Sequence, residues 1–369
     1  MRFAVFTHVP HYLKGNSKFA YAPYVREMDL WFELTSKVEL VAPVATNLSK
    51  KDQAYKRKDV LFSPIPSISF LGIRDTIFSV IKIPRIVFKI FRAMLKADHL
   101  HIRCPGNIGL LSCLLQIIFP GKPKTFKYAG NWDPSSSQPW SYRFQKYLIS
   151  NTKLTKNAKV LVYGEWNGKR NSNIHSFFTA SYHSHEIMGI EKEFSAPFRF
   201  LFVGSMTSGK RPLLAIQIIE FLRASGRDVH LDLYGSGTKI KELRNYIESK
   251  RLGAIINLHG DQEPSVIKEA YQNAHFSILP SRSEGWPKAI AEAMFFGCIP
   301  IATAISCMPW MLDKGKRGIL IEPDVLFATK AIREIMDDPV KMERISKDAM
   351  RWSQQYTLDY FQAEIKELL

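Results

Sequence analysis

The chain of 369 residues is poor in cysteine, with four (Cys104, Cys113, Cys298, Cys307) that show neither a metal-ligand spacing nor a dense framework. This excludes a disulfide-stapled scaffold and a zinc module, and predicts reduced thiols. No Asp-x-Asp element stands in a loop suited to a divalent ion, and no His/Cys cluster has ligand spacing. Long apolar runs are missing as well. The longest, Ile108 to Phe119, has 12 residues, against the roughly 20 that a membrane-spanning helix needs. The opening Met1 to Thr7 reads as a short strand without the apolar stretch of a signal peptide, so the protein is expected to stay inside the cell. There is no repeat of fixed period and no low-complexity linker. Acidic residues are scarce in one half only: residues 1–190 hold 27 Lys/Arg against 11 Asp/Glu, and residues 191–369 hold 24 against 23. Nearly all of the net charge of +17 thus sits in the first half. Such asymmetry points to an anionic surface or polymer as that half's partner, and says nothing about the fold.

The length exceeds what one hydrophobic core usually serves, so two domains are expected. In the first half, short apolar runs (Phe3–Phe6, Val38–Val41, His99–Ile102, Thr125–Tyr128, Val160–Val162, Phe177–Thr179) alternate with longer helical stretches. The second half repeats the pattern, with helices expected near 210–224, 238–251, 264–273 and 287–296. Alternation of this kind builds βα units on a parallel sheet. Polarity rises over Gly189–Pro197, which places the boundary between a domain of residues 1–192 and one of residues 193–345. Residues 346–369 read as a terminal helical segment. The expected fold class is therefore α/β, two Rossmann-like doubly wound domains facing across a cleft at the carboxyl ends of their strands.

Within the first half, Lys82, Arg85, Lys89, Arg92 and Lys96 recur at spacings of three and four, so a helix over Arg74–Lys96 carries one basic stripe. Ile83, Ile86, Val87, Ile90, Phe91 and Met94 fill much of the rest, and Pro84 is expected in the first turn. Two readings stand side by side: a core-packed helix with a solvated basic face, or one lying on an anionic membrane. The clusters at Lys50–Lys58 and Arg143–Lys159 add weight to the second.

The most informative stretch is Ser281 to Gly297. It sets Glu284 in a Gly/Pro turn and Glu292 eight residues later, inside a helix whose apolar stripe is Ala289, Ile290, Ala293 and Met294. Pro287 suits the first helical position, and Gly285 permits close backbone approach. The helix N-terminus suits a phosphate, while the carboxylates suit hydroxyl groups. A ligand with both is a sugar nucleotide.

This segment resembles the Glu-x7-Glu signature of the retaining glycosyltransferases of family four, whose fold is GT-B. The flanking elements follow the family's order: Phe200 to Gly204 with Lys210 six residues on, His230 to Gly237, Asn257 to Gly260, Tyr271 to Ser281, Cys298 to Thr303 and Gly315 to Ile321. The resemblance spans about residues 198–325. It implies that Lys210 holds the donor's diphosphate and that Glu292 accepts hydrogen bonds from the ribose hydroxyls. It further implies that Glu284 meets the donor sugar, and that Gly285, Trp286 and Lys288 present backbone N–H groups to the diphosphate or sugar, with Pro287 part of the same donor-binding turn. Gly204, Ser205, Arg211 and Gly235 complete the donor site, with Lys210 and Glu284 as the catalytic pair. Ser205 stands where the family usually has an arginine, which Arg211 is expected to offset. The Gly235-Ser236-Gly237 turn is expected to shape a wall of the site, and backbone near His259 to Gln262 to meet the base. The terminal segment is expected to cross back to the first domain.

The first half follows the family less closely. Only Gly15 stands near the usual Gly-Gly loop, and Ala129 to Asp133 replace the usual histidine. Arg103, Asn131 and Asp133 are the candidates there for acceptor or donor-sugar contacts. The Arg103 to Gly109 turn with Tyr128 to Asp133 is similar to a subset that makes bacterial surface polysaccharides. His8, His11 and His101 lie near strand ends, where structural histidines are commoner than ligands.

The resemblance implies a metal-independent, retaining hexosyltransferase without cofactor. It would move a sugar from a nucleotide-sugar to a glycan or polyprenyl-linked acceptor, in synthesis of capsule, O-antigen (lipopolysaccharide) or exopolysaccharide. The place expected for it is the cytoplasm, peripheral on the inner face of the membrane, with an anionic membrane surface as partner of the basic first half. Two alternatives remain: a sugar-nucleotide epimerase or hydrolase of the same fold, and a basic nucleic-acid-binding protein. The latter lacks an organised stacking motif around Tyr21, Tyr24, Trp31 and Trp132.

Overall fold

The computed structural model describes residues 1–70, 72–166 and 172–369. The chain forms two compact units, Met1–Phe178 with Gln362–Leu369, and Thr179–Phe361.

In the first unit the strands β1 (Arg2–Phe6), β2 (Lys37–Pro43), β3 (Leu61–Ile65), β4 (His99–Cys104), β5 (Lys124–Tyr128), β6 (Ala158–Tyr163) and β7 (Ile174–Phe177) form one sheet. Their order is β7-β6-β5-β4-β1-β2-β3, and every pairing is parallel. Central strands such as Phe3–Phe6 and Leu40–Ala42 are buried as continuous apolar runs, because helices cover both faces of a parallel sheet. The helices are α1 (Ala22–Glu33), α2 (Ile73–Lys96), α3 (Asn107–Leu115) and α4 (Trp140–Ser150). A small antiparallel sheet joins Tyr12–Lys14, Ser17–Tyr21 and Asp52–Ala54. Helix α2 begins at Ile73, so Pro84 lies in its interior rather than in its first turn. Pro84 is exposed there, and the carbonyl its missing N–H leaves unbonded can turn to water.

In the second unit β8 (Phe198–Val203), β9 (Val229–Tyr234), β10 (Ile256–Gly260), β11 (Phe276–Leu279), β12 (Ile299–Thr303) and β13 (Ile319–Ile321) pair in the order β10-β9-β8-β11-β12-β13, all parallel. Helices α5 (Pro212–Ala224), α6 (Ile240–Ser249), α7 (Pro264–Asn273) and α8 (Lys288–Phe295) fall within two residues of the expected spans. The short α9 (Met308–Met311), then α10 (Val325–Met336) and α11 (Pro339–Ser353), follow. Asp324 caps α10 by accepting from the amides of Leu326 and Phe327, and Asp338 caps α11 through Lys341. Both sheets share the order third-second-first-fourth-fifth-sixth, the doubly wound Rossmann arrangement. In that topology the crossovers reverse direction between the first and fourth strands, which leaves a crevice at their carboxyl ends.

The division between units falls at 178/179, not 192/193. Residues 179–192 are polar in sequence, yet they pack on the second unit. The Tyr182 ring lies 5.0 Å from that of Phe295 and 4.8 Å from that of Phe296. Glu186 pairs with Lys268 at 2.7 Å, and the Lys192 ammonium donates to the carbonyls of Tyr271 and Gln272. At the other end, residues 346–361 also belong to the second unit, because Ser346 donates to the Gly297 carbonyl and Ser353 to that of Ala291. Helix α12 (Leu358–Leu368) begins in the second unit, and its residues from Gln362 group with the first.

Candidate functional site

The second unit concentrates its candidate residues where the winding reverses. β8 and β11 are neighbours, pairing Phe200 with Phe276 and Leu201 with Ser277, so the loops that leave their carboxyl ends emerge side by side. The β8 loop carries Gly204, Ser205 and Lys210; the β11 loop carries Arg282, Glu284 and Gly285. A backbone bond of 2.8 Å from the Arg282 amide to the Gly209 carbonyl ties the two together.

Lys210 and Glu284 meet directly. The ammonium donates to Oε1 of Glu284 at 2.5 Å, and the Glu284 side chain is 6% exposed against 29% for Lys210. The Glu284 loop is held from below by the end of β12. Thr303 Oγ1 donates to the Ser281 carbonyl at 2.5 Å, Ser306 Oγ to that of Glu284 at 2.6 Å, and Cys307 Sγ to that of Gly285 at 3.2 Å. Burial pushes the Cys307 thiol up to about 12, so it serves as a neutral donor. Three side-chain donors on loop carbonyls fix the carboxylate's position without touching it.

Positive charge gathers around this pair. Arg211 sits at the start of α5 with a left-handed backbone (φ 52, ψ 49). Its guanidinium pKa is lowered by burial and then by the charge of Arg282, so the two cations stand near each other. Neither pairs with a carboxylate among the described residues. Arg282 was not foreseen as part of the site. Its signal was available, since it lies two residues before Glu284. Ser205 is exposed, its hydroxyl 3.4 Å from that of Thr207.

Glu292, on α8, has both oxygens engaged by hydroxyl donors. Ser181 Oγ donates to Oε1 at 2.6 Å and Tyr271 Oη to Oε2 at 3.2 Å. Burial, then the neighbouring Glu292, raises the Tyr271 phenol well above its ordinary value, which keeps it protonated as a donor. A carboxylate already satisfied by two hydroxyls has the acceptor geometry a diol requires. Ser181 and Tyr271 were missed in the sequence because they lie 111 and 21 residues away. Trp286 is buried in an aromatic cluster, its ring 6.2 Å from those of Trp310 and Trp352 and 5.7 Å from that of Tyr356. Pro287 caps α8 and Lys288 opens it, one residue later than expected.

The turn after β9 is packed against the turn after β8. Gly235 has φ 127, and a Cβ there would stand 2.0 Å from the Gly204 carbonyl oxygen; one at Gly237 would stand 2.4 Å from that of Met206. Close backbone approach thus requires glycine at 235 on two counts. Gly204 itself would admit a Cβ at 3.6 Å from its nearest neighbour. His259 stacks on Tyr234 at 4.5 Å and bonds to Asp232 at 2.6 Å.

Arg103, Asn131 and Asp133 belong to the first unit, at the carboxyl ends of β4 and β5. Arg103 lies 4.9 Å over the Tyr24 ring and 3.7 Å from Glu27. The Asn131 side chain accepts from the Asp133 amide at 2.9 Å, and Asp133 accepts from Ser135 at 2.8 and 2.7 Å, so both carbonyl-type oxygens shape the loop itself. His11 and His101 are buried, bonded to Tyr55 and Thr125 at 2.8 Å each. Burial lowers both imidazoles, so they are neutral structural groups.

Residues 184–352 match the family model described as glycosyl transferases group 1. WcaL of Salmonella typhimurium, assigned as a colanic acid biosynthesis glycosyltransferase, is 29% identical over 131 residues, covering 34% of this chain and 32% of its own. The D-inositol 3-phosphate glycosyltransferase of Paenarthrobacter aurescens is 24% identical over 151 residues, 39% of this chain and 36% of its own. The match thus spans about a third of the length of these curated relatives. Among solved structures, Anabaena HepE in complex with UDP and glucose superposes with a TM-score of 0.70 at 12% identity, covering 100% of this chain and 98% of its own. Sucrose-phosphate synthase from Thermosynechococcus elongatus gives 0.69 at 14% identity, over 100% and 98%. The full-length superpositions establish the architecture of both units. Residues 184–352 are thus similar to the glycosyl transferases group 1, in a chain whose fold is GT-B.

Proposed function

We propose that the chain is a retaining hexosyltransferase that moves a sugar from a nucleotide-sugar donor to a glycan or polyprenyl-linked acceptor in bacterial surface-polysaccharide synthesis. The observation that carries the reading is the Lys210–Glu284 pair, 2.5 Å apart at the carboxyl ends of β8 and β11. A donor entering there replaces each group's present partner. Its diphosphate takes the Lys210 ammonium, its sugar hydroxyls take the Glu284 carboxylate, and its ribose diol takes Glu292 from Ser181 and Tyr271. As the glycosidic bond breaks, negative charge grows on the leaving diphosphate, and Lys210, Arg211, Arg282 and the start of α8 stabilise it. These charges supply what a divalent ion would, so the reaction proceeds without metal and with no cofactor. The leaving phosphate takes the acceptor proton during front-face attack, so retention requires no side-chain nucleophile. HepE supports a nucleoside diphosphate as the ligand, and WcaL a surface polysaccharide as the product's class. The acceptor's lipid places the enzyme on an anionic membrane through its basic first unit.

Thermal stability against UDP, GDP, ADP, CDP and CMP, with and without EDTA, tests the donor site. A ligand at 100 times its dissociation constant stabilises by about 2.7 kcal/mol. A shift with one nucleotide that survives EDTA and disappears in Glu292→Ala supports the reading. Donor consumption without any acceptor would instead make the chain an epimerase or hydrolase.

A further inference from the structure

Helix α2 has two apolar faces, and only one packs on the sheet. Ile86, Ile90, Ala93 and Met94 are buried in the first unit's core. At spacings of four, three, four, three and four, Ile77, Ile81, Pro84, Phe88, Phe91 and Leu95 form a second stripe on the opposite side, all exposed, with Ile81 70% open to solvent. The basic residues run along one edge of this stripe, where Arg85 and Arg92 are exposed. Helix α3 packs beside α2, and α4 beside α3. Phe91 meets Phe119, just beyond α3, at 5.5 Å, and buried Gln145 of α4 accepts from the Gly106 amide beside α3 at 3.2 Å. On α4, Trp140, Phe144 and Tyr147 are exposed at spacings of four and three, Trp140 by 69%. Across α2, α3 and α4 the one carboxylate is Asp75.

We propose that the outer face of α2 and α4 is a lipid-inserting surface for a bilayer containing anionic phospholipid, with the second stripe of α2 and Trp140 entering the acyl boundary and Arg85 and Arg92 meeting phosphate headgroups. A contiguous apolar stripe of this length is uncommon on a surface that stays in water. An apolar face flanked by cations is the pattern of a helix lying in a membrane interface. A second copy of this chain fits poorly: a two-fold contact would bring two basic edges together with Asp75 alone to offset them. The inference deepens the membrane reading above by assigning its residues. Of the apolar residues the sequence offered for a membrane face, Ile86, Ile90 and Met94 lie in the core, and Phe91 belongs to the exposed stripe.

Flotation of the full chain with phosphatidylcholine vesicles, with and without phosphatidylglycerol, tests it. Binding is expected with phosphatidylglycerol only, and brominated acyl chains should quench fluorescence that Trp140→Phe loses. Arg85→Ser/Arg92→Ser should weaken binding about 30-fold at low salt, from about 1 kcal/mol for each charge. Ile81→Ser/Phe88→Ser should weaken it by at least about tenfold. Both substitute exposed positions and should keep the nucleotide-induced thermal shift. Vesicle binding unchanged in Ile81→Ser/Phe88→Ser overturns the proposal. So does conversion of a dimer to a monomer by that variant with no vesicle binding by either form, which makes a second copy the partner. Loss of vesicle binding alone leaves the donor site standing; loss of the nucleotide shift alone leaves the membrane surface standing.

Discussion

Replacing Lys210 with alanine separates a catalytic cation from a structural ion pair. In the free protein, Lys210 neutralises Glu284, whose side chain is 6% exposed. Stranding that carboxylate should cost about 3 kcal/mol, the low end for a broken buried pair, because Lys210 is itself 29% exposed. For a unit of this size that lowers Tm by about 6–12 °C. Glu284→Gln removes the charge that needs neutralising and keeps the shape, so its Tm should fall much less. Nucleotide binding should split the two variants in the opposite sense. Lys210→Ala loses a charge-assisted hydrogen bond to diphosphate, about 1.5–3 kcal/mol, or about 10- to 150-fold in Kd. Glu284→Gln removes the group that competes with diphosphate for the ammonium, so the nucleoside diphosphate should bind as tightly as before or tighter. Turnover should fall in both, by about 100- to 1,000-fold for Lys210→Ala. Thermal melts, calorimetric titration with the nucleotide that gives a thermal shift, and acceptor-dependent turnover read the three quantities. Nucleotide affinity and turnover within twofold of wild type in Lys210→Ala, with only Tm reduced, would show that the pair merely holds two loops together.

Four further outcomes are expected. Glu292→Ala should bind a nucleotide and its 2′-deoxy analogue equally, where wild type prefers the ribose form by about tenfold, a hydrogen bond to a charged group; a preference retained in the variant would move the ribose elsewhere. Arg282→Ala should weaken diphosphate binding and Ser205→Arg should strengthen it, each by about tenfold in calorimetry. No change in the first would leave Arg282 a bystander. Gly235→Ala should destabilise the second unit by more than about 2 kcal/mol in urea, since the new methyl would stand 2.0 Å from the Gly204 oxygen at a φ of 127. Acid should weaken both units: burial lowers His11 and His99 in the first, and His275 in the second, to about 4. Each is neutral when folded and gains a proton more readily when unfolded. Their contribution is full above pH about 6.5 and is lost as pH falls to about 4, on the order of 3 kcal/mol each for His11 and His99 and less for the partly exposed, solvent-screened His275. A urea midpoint flat over that window would contradict the burial of these rings.

The parts of the molecule that sequence alone determined are those that local patterns encode. Continuous apolar runs between helical stretches specify buried parallel strands, and the second unit's helices lie within two residues of their expected spans. Short-range turn and helix signals set Glu284 in its turn and Glu292 on its helix, and the family resemblance picked out Lys210. Long-range pairing is not written in such patterns. Nothing near Glu292 in sequence marks Ser181 and Tyr271 as its donors, and the polar stretch 179–192 gives no sign that Tyr182 and Lys192 dock on the second unit. Arg282 could be read as a loop cation, but only the tertiary structure, which bonds its amide to the Gly209 carbonyl, brings it beside Arg211. Helix α2 shows the limit most plainly. Its periodicity allows two apolar stripes, and a period of 3.6 residues cannot tell which one faces the sheet. The contacts of Ile86, Ile90 and Met94 with the sheet decided that, because burial is a property of what an element packs against and not of the element.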